Sequence, residues 1–483
     1  MKGFLKIMKK YTKETKIWYN YIQMEARKRM KKTIQEIADL LQVPVYGNVD
    51  TTKYIHGVEF DSRNVQEGNL FVPIIGARVD GHSFIDSVIE KKAMASLWQK
   101  DHMPYPEGIA LFLVEDTVQA LQTLAKRYLQ SLHCKVVAVT GSNGKTSCKD
   151  MIYSICSQEK RTQKTQGNRN SEIGLPLTVL DFNEDIEVAV LEMGMENKGE
   201  IETLCQIAQP DISIITTIGS AHMENLGGKK QIAEAKCEIL DGLKEDGLFF
   251  YNKDCPEIEE VLKEKAEVPT RKIVSFGTTG DIQITSAIQY KEDSIVFDTN
   301  ILSKPVTLHA LGDFQAMNSL PAIAAAKALG IQEDSILTGL KTMQITKMRT
   351  QLISIGKAKI LDDSYKSNPE SAMAAIDTLM ALPASMHIAV LSDMLDLGPE
   401  ENQLHASIGT YAFEKGVDRL YCVGPLSKYT EAACQAESAW FETKEELLQA
   451  LQEYKEKDCV ILVKGSRAMA MDEIVAQLQT GGK

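Results

Sequence analysis

Apolar positions along the chain fall into two recurring patterns. Short unbroken aliphatic runs at Val136–Thr140, Val188–Leu191 and Ile212–Thr216 alternate with stretches of helical spacing such as Lys145 to Cys156. Runs of that length suit strands buried on both faces, and their alternation with helices predicts a mainly parallel, doubly wound α/β sheet. The pattern returns after Lys347. Strands are predicted at Lys359–Leu361, Ile388–Leu391, Leu420–Val423 and Val460–Val463, with helices at Ser371–Met380, Gln403–Glu414 and Lys444–Tyr454 between them. Nearer the start, Ile34, Ile37, Ala38, Leu40 and Leu41 have helical spacing. Leu70–Ile75 reads as a buried strand closed by Gly76, and Phe84–Ile89 and Val118–Leu129 read as helices. From Ile273 to Leu311, many short alternating runs predict antiparallel strands.

These shifts divide the chain into a first domain at 30–130, a central domain at 131–346 and a third at 347–483, each of ordinary domain size. Residues 1–29 are rich in Lys and aromatics, among them Lys9, Lys10, Tyr11, Trp18, Tyr19 and Tyr21, and lack the apolar core of a secretory signal. They are expected to be an extension outside the folded unit; the alternative is a helix lying on a membrane surface. No apolar run approaches the ~20 residues of a spanning helix. With 54 Lys+Arg against 66 Asp+Glu, the net charge of −12 argues against sequence-independent nucleic-acid binding. An anionic substrate must then be held by local cationic sites. The nine cysteines include no C-x-x-C pair and are scattered through the predicted elements. Reduced thiols of a cytoplasmic protein are expected, not a disulfide framework or a zinc site.

The strongest local signal is Thr140-Gly141-Ser142-Asn143-Gly144-Lys145-Thr146-Ser147, set between a buried strand and a helix. Glycines let backbone N–H groups turn toward phosphate oxygens, and the helix N-terminus adds positive potential. Lys145 would neutralise β/γ-phosphate charge, and the Thr146 hydroxyl would bind Mg2+. Val139 stands where the general P-loop has its first glycine, so the shorter T-G-x-x-G-K-T form applies. Glu192, at a strand's carboxyl end, is either a Mg2+ ligand or a solvated strand-end acid. His222 follows another strand at the same edge and reads as a functional or a structural histidine. Lys236 lies in a helical run, Gln231–Leu243, and on physical grounds alone is a surface lysine. Asp362 and Asp363 follow a strand, as ribose ligands or helix caps; Ser364 and Asn368 also suit capping.

Taken together, these stretches resemble the Mur ligase family over nearly all of the chain from Met30 to about Leu478. The match runs through Asp61-Ser62-Arg63, Gly68–Val72, Asp80–Phe84, the P-loop, Gly167–Pro176, Glu192–Met195 and Ala221–Glu224, then Asp362–Tyr365, Asp393–Gly398 and Lys464–Arg467. It is closest to the branch that adds D-alanyl-D-alanine to UDP-N-acetylmuramoyl-tripeptide. The Asp-Asn-Pro-Arg motif of the branch adding the third residue is absent. The resemblance implies a three-domain α/β architecture with a central P-loop mononucleotide-binding domain and a C-terminal Rossmann-like domain.

The implied activity is ATP-dependent amide formation through an acyl phosphate in peptidoglycan precursor synthesis, by a monomer without membrane insertion. By resemblance Gly141, Ser142, Asn143, Gly144, Lys145, Thr146 and Ser147 cradle the phosphates. Thr146 and Glu192 hold one Mg2+, and His222 helps hold a second. Lys236 matches a lysine that is carbamylated in many members, Asn318 an adenine-side asparagine, Arg349 an arginine reaching the γ-phosphate, and Asp363 a ribose contact. Asp61, Ser62, Arg63, Asn168, Asn170 and Ser171 fall to the UDP-substrate. The chain departs from the family's usual pattern at Phe314-Gln315, at Lys366-Ser367 and at Met348, positions that bear on nucleotide contacts. Other readings are a Mur-like or folylpolyglutamate-type ligase with another acceptor, and a catalytically weak nucleotide-binding regulator.

Overall fold

The computed structural model describes residues 30–221, 223–265, 272–344 and 346–480. The question of the first 29 residues lies outside them. Two compact units divide the chain. One takes the residues up to Cys134 together with Thr165–Ala189 and Gln206–Ala208; the other takes Lys135–Lys164, Val190–Cys205 and everything from Gln209. The expected central and third domains therefore cluster as one unit, and Thr165–Ala189 joins the first.

The first unit holds a five-stranded sheet ordered Val45–Tyr46, Ala110–Val114, Ala95–Gln99, Leu70–Phe71, Val58–Glu59. Only the first pairing is antiparallel. The buried run at Leu70 makes a strand of two residues, not six, because Pro73 lacks the N–H a central ladder needs. Helix Ile34–Leu41 forms where expected, and its start is closed by a capping box. Glu36 N–H donates to the Thr33 hydroxyl at 3.1 Å, and Thr33 N–H donates to the Glu36 carboxylate at 2.7 Å.

In the same unit Asp80 ties two histidines together. Its carboxylate meets His82 Nδ1 at 2.7 Å and His102 Nε2 at 3.0 Å, and the two rings stack with centroids 4.0 Å apart. Burial alone would raise the Asp80 carboxyl, but hydrogen bonds from the His82 backbone and ring and from His102 outweigh it and hold the group at about 2. A depressed carboxyl contributes stability above its unfolded value and loses it as pH falls through the folded one. Asp80→Asn should therefore cost about 1–3 kcal/mol at neutral pH and much less near pH 2, read by urea titration. An equal loss at both pH values would contradict this account.

The second unit contains two six-stranded sheets. The first runs Lys272–Phe276, Leu248–Asn252, Ile212–Ile215, Lys135–Thr140, Val188–Glu192, Thr162–Lys164. The four strands from Lys272–Phe276 to Lys135–Thr140 pair in parallel. The stretch from Ile273 was expected to be antiparallel throughout. Its first strand instead joins the parallel sheet, and only Gln289–Tyr290, Ile295–Phe297 and Val306–Leu308 form an antiparallel meander. Alternation fits any strand with one wet face, and Lys272–Phe276 is an edge strand with Lys272 exposed.

The other sheet runs Gln351–Ile355, Ala358–Asp363, Val460–Lys464, His387–Ser392, Arg419–Val423, Glu437–Phe441. All pairs but the first are parallel. Its core gathers Ile360, Ile388, Val390, Ile461 and Val463 under Leu447, Leu451 and Tyr454. The crossover between Ala358–Asp363 and His387–Ser392, with Val460–Lys464 slotted between them, places Asp363, Ser392 and Lys464 along the carboxyl edge. In an open parallel sheet this edge is where ligands bind. Asp362 and Asp363 end the strand here and do not follow it.

Candidate active site

Helix Lys145–Cys156 begins directly after the glycine loop, with the bounds the sequence gave reason to expect. Two of the glycines are sterically required. Gly141 has φ +147° and Gly144 φ +82°, and a Cβ would lie 2.0 Å from Thr216 Oγ1 at the first and 2.2 Å from Asn318 Oδ1 at the second. The loop thus rests on the neighbouring strand's end on one side and on helix Asp313–Ala328 on the other. Lys145 folds back so that its amine donates to Gly141 O at 2.6 Å and Ser142 O at 3.4 Å. Burial lowers its pKa to about 8; Lys366 and Arg349 push the same way, against Glu192.

Glu192 is not a solvated strand-end acid. It is 3% exposed, accepts the Thr146 hydroxyl at 3.0 Å and lies 3.3 Å from the Lys149 amine. A serine-family hydroxyl and a carboxylate at that separation are the hard oxygen donors that Mg2+ prefers, so the residues present fit the ion. Lys149, buried and also 3.7 Å from Asp150, is a residue the sequence reading missed. Asp150 in turn binds Lys164 at 2.7 Å and accepts the Thr346 hydroxyl. A lysine and an acid at i+4 and i+5 from Lys145 look like an exposed helix face in one dimension; nothing in the spacing shows that Glu192 faces them.

Lys236 overturns the surface reading. It sits in helix Lys229–Cys237 at 1% exposure, and its pKa is driven well below the ordinary lysine value by burial, then by Lys145 and Lys366. Among the described residues no carboxylate pairs with it. Arg349 stacks over the Tyr365 ring at 4.2 Å and points Nη2 to within 3.4 Å of Thr146 Oγ1, while its Nε is buried with no partner. Lys145, Lys366 and Arg349 thus form a positive cluster beside a glycine loop, and the Lys236 amine lies against it. An anion among these groups would give the buried Arg349 Nε an acceptor and favour the charged forms of the amines. The Lys366 departure joins the cluster.

The loop Ser364–Asn368 closes over the P-loop. Asn143 and Asn368 exchange amide hydrogen bonds of 3.2 and 3.0 Å, and Asn368 also caps helix Pro369–Ala381. Ser364 does not cap; it bonds Asp362. Asn318 is buried and donates to Gln315 at 3.4 Å, and Gln315 donates to the Thr350 hydroxyl at 3.3 Å. The Gln315 departure is therefore built into the wall of a cleft that Thr146, Ser147, Asp150, Ala310, Met343, Thr346 and Arg349 also line. Asp363 accepts from Thr350 N–H at 3.2 Å and is ion-paired with buried Lys464, whose amine also reaches Lys366 O at 2.9 Å. Lys464 was legible only as part of a family motif.

The remaining expected residues are elsewhere. Asp61 and Arg63 form a 2.7 Å ion pair, and Lys91 donates to Ser62 O at 2.7 Å and Arg63 O at 2.8 Å. Asn170 N–H donates to Asn168 O at 2.8 Å, and the Ser171 hydroxyl accepts Gly174 N–H at 3.3 Å. These six belong to the first unit, whereas the P-loop, Glu192, Lys236, Asn318, Arg349 and Asp363 share the second. His222 lies outside the described residues.

The Mur ligase middle domain matches residues 139–326, the Mur ligase glutamate ligase domain residues 348–467, and the Mur ligase family catalytic domain residues 54–129. The UDP-N-acetylmuramoyl-tripeptide–D-alanyl-D-alanine ligase of Bacillus subtilis is 39% identical over 456 residues, covering 93% of this chain and 98% of that one. Its counterpart in Escherichia coli is 32% identical, covering 93% and 99%. Among solved structures, MurF from Acinetobacter baumannii superposes with a TM-score of 0.86 at 29% identity, covering 94% of this chain and all of that one. MurF ligase from Thermotoga maritima, in complex with ADP, gives 0.79 at 28%, covering 88% and 97%. With relatives this similar along almost their whole length, the chain belongs to the Mur ligase family.

Proposed function

We propose that this protein is an ATP-dependent ligase joining the terminal carboxylate of UDP-N-acetylmuramoyl-tripeptide to the amino group of D-alanyl-D-alanine, in the cytoplasm. The observation that carries this reading is the cluster of Lys145, Lys236, Lys366 and Arg349 around a P-loop whose Thr146 faces Glu192 at 3.0 Å. A carboxylate attacking a nucleoside triphosphate brings anions together, so the site must carry an excess of positive charge. The 39% identity to the Bacillus subtilis ligase supports the choice of substrates.

In this reading the peptide carboxylate oxygen attacks the γ-phosphorus of ATP and ADP leaves. The amine of D-alanyl-D-alanine then attacks the acyl carbon, phosphate departs with the bonding pair, and the amine gives up a proton. Lys145 and Arg349 neutralise the transferring phosphoryl group. Thr146 and Glu192 would hold one Mg2+, and His222 with a carbamylated Lys236 would help hold a second; bound metal would screen the phosphate oxygens. Asn318 and the cleft at Gln315 take the adenine side. Asp363 takes the ribose, which requires it to share its bond to Lys464. In the first unit, Asp61, Ser62 and Arg63, with Asn168, Asn170 and Ser171, take the UDP-substrate, whose binding energy positions the carboxylate.

Phosphate release tests this directly. With UDP-N-acetylmuramoyl-tripeptide and ATP, D-alanyl-D-alanine should support turnover and single amino acids should not. Equal turnover with L-glutamate or D-alanine alone would move the chain to another acceptor class. No turnover with any acceptor, despite nucleotide binding, would favour the regulator.

A further inference from the structure

The segment after strand Ile212–Ile215, at Thr217–Ser220, is gripped from two sides. On one side is the P-loop: Ser142 N–H donates to Thr217 O at 2.8 Å, Asn143 N–H to Thr217 Oγ1 at 3.0 Å, and Gly219 N–H to Ser142 Oγ at 3.0 Å. On the other side is Glu370, in the first turn of helix Pro369–Ala381. Its carboxylate accepts Ser220 N–H at 3.2 Å to either oxygen and the Ser220 hydroxyl at 2.8 Å, and it pairs with Lys229 at 3.2 Å. Gly219 leaves room for it: a Cβ there would stand 3.2 Å from the Glu370 carboxyl carbon and 3.5 Å from Ser142 Cβ.

We propose that Glu370 is a positioning residue that fixes the Gly219–Ser220 segment against the P-loop. One carboxylate makes three different kinds of contact: a backbone N–H and a hydroxyl on this segment, and the ammonium of Lys229 at the start of helix Lys229–Cys237. The grip runs parallel to the Asn143–Asn368 amide pair two residues away, so one helix N-terminus meets the P-loop directly at Asn368 and through Ser220 at Glu370. Although burial opposes it, donation from Ser220 holds the Glu370 carboxyl below its usual value, with Lys229 adding to the effect, so the acceptor stays charged. A carboxylate bonded to a backbone N–H resists displacement by water and holds the segment's direction as well as its place.

The functional half of this inference rests on the ligase reading; the structural half does not. Two measurements therefore separate them. In the free enzyme, amide hydrogen exchange over residues 217–221 should speed up about ten-fold or more in Glu370→Ala, the scale of one lost charge-assisted hydrogen bond, and much less in Glu370→Gln, whose amide oxygen still accepts from Ser220. In turnover, Glu370→Ala should lower kcat by about ten-fold with KM for the UDP-substrate unchanged, and Glu370→Gln should recover most of it. Ser220→Ala should lower kcat less, and the double variant Ser220→Ala/Glu370→Ala should fall no further than Glu370→Ala alone, since both remove one interaction. Unchanged exchange in a folded Glu370→Ala protein would overturn the proposal whatever the activity. So would faster exchange with unchanged kcat, which reduces Glu370 to a fold contact. An additive double variant would also overturn it. A wild-type enzyme silent toward every acceptor, with the exchange result intact, would count against the ligase reading alone.

Discussion

Lys145→Ala is expected to bring phosphate release to background, a loss of at least about a hundred- to a thousand-fold, while leaving the fold intact. The amine contributes little to packing: its partners are two carbonyls of its own loop, at 2.6 and 3.4 Å. Its pKa, lowered by burial and then by Lys366 and Arg349 to about 8, lies below the value an unfolded lysine has. Between those values the unfolded chain binds more protons, so this group's effect on stability becomes more favourable as pH rises through the window. Below about 8 it is a charged amine held in an unfavourable place, and removing it should leave the midpoint of urea unfolding at pH 7 unchanged or slightly higher. An arriving phosphate reverses the balance by favouring the charged form. Nucleotide binding near pH 8 should therefore take up a proton, seen as a binding heat that varies with the buffer's ionisation enthalpy. Lys145→Ala should lose that uptake along with activity. Near-normal turnover in a folded variant would remove Lys145 from the chemistry and with it the phosphate assignment of the loop.

Which parts of this site the sequence disclosed follows from the range of the signal. The glycine loop and helix Lys145–Cys156 are local: turn, cap and apolar period all lie within a few residues, and the helix bounds agree. The strands at Val136, Val188 and Ile212 are equally local, since burial on both faces writes itself as an unbroken apolar run. Strand Glu437–Phe441 went unseen because it is an edge strand, only half-buried, with no such run. The loop of Lys366, Ser367 and Asn368 shows the other limit. Read in line it is a helix entry, and the capping by Asn368 was legible. Its second bond, to Asn143, joins positions 225 residues apart and no periodicity reports it. Lys149 and Glu370 were missed for the same reason, and Lys464 was visible only within a family motif, without its role. Each is an ordinary charged residue until its partner is known: Glu192, Ser220 and Asp363 in turn. The same holds for the fate of Lys236. A lysine in a polar helix reads as exposed unless the sheet and P-loop packed against it are already in view.

Lys236→Ala should lose nearly all turnover, and short carboxylic acids such as formate or acetate should restore part of it. The argument begins with burial. At 1% exposure, burial first and then the neighbouring Lys145 and Lys366 drive the amine's pKa well below the ordinary lysine value and favour its neutral form. A neutral amine keeps its lone pair and can add to the carbon of dissolved CO2, releasing one proton and leaving an N-carboxylate. That product suits the place better than either form of the lysine, because its negative charge faces the cations that destabilise the ammonium. Its oxygens are also the hard donors a second Mg2+ requires. In Lys236→Ala the space and the positive surroundings remain, so a small carboxylate can enter and supply the missing oxygens. A neutral molecule of the same size, such as acetamide, should restore nothing. Native mass spectrometry should find the mass of one CO2 on the wild-type protein under bicarbonate and not on the variant. Full activity in Lys236→Ala would leave the residue as a buried lysine without a part in the reaction. Lost activity that acetamide restores as well as acetate would mean that it fills space, and the carbamate would have to be given up.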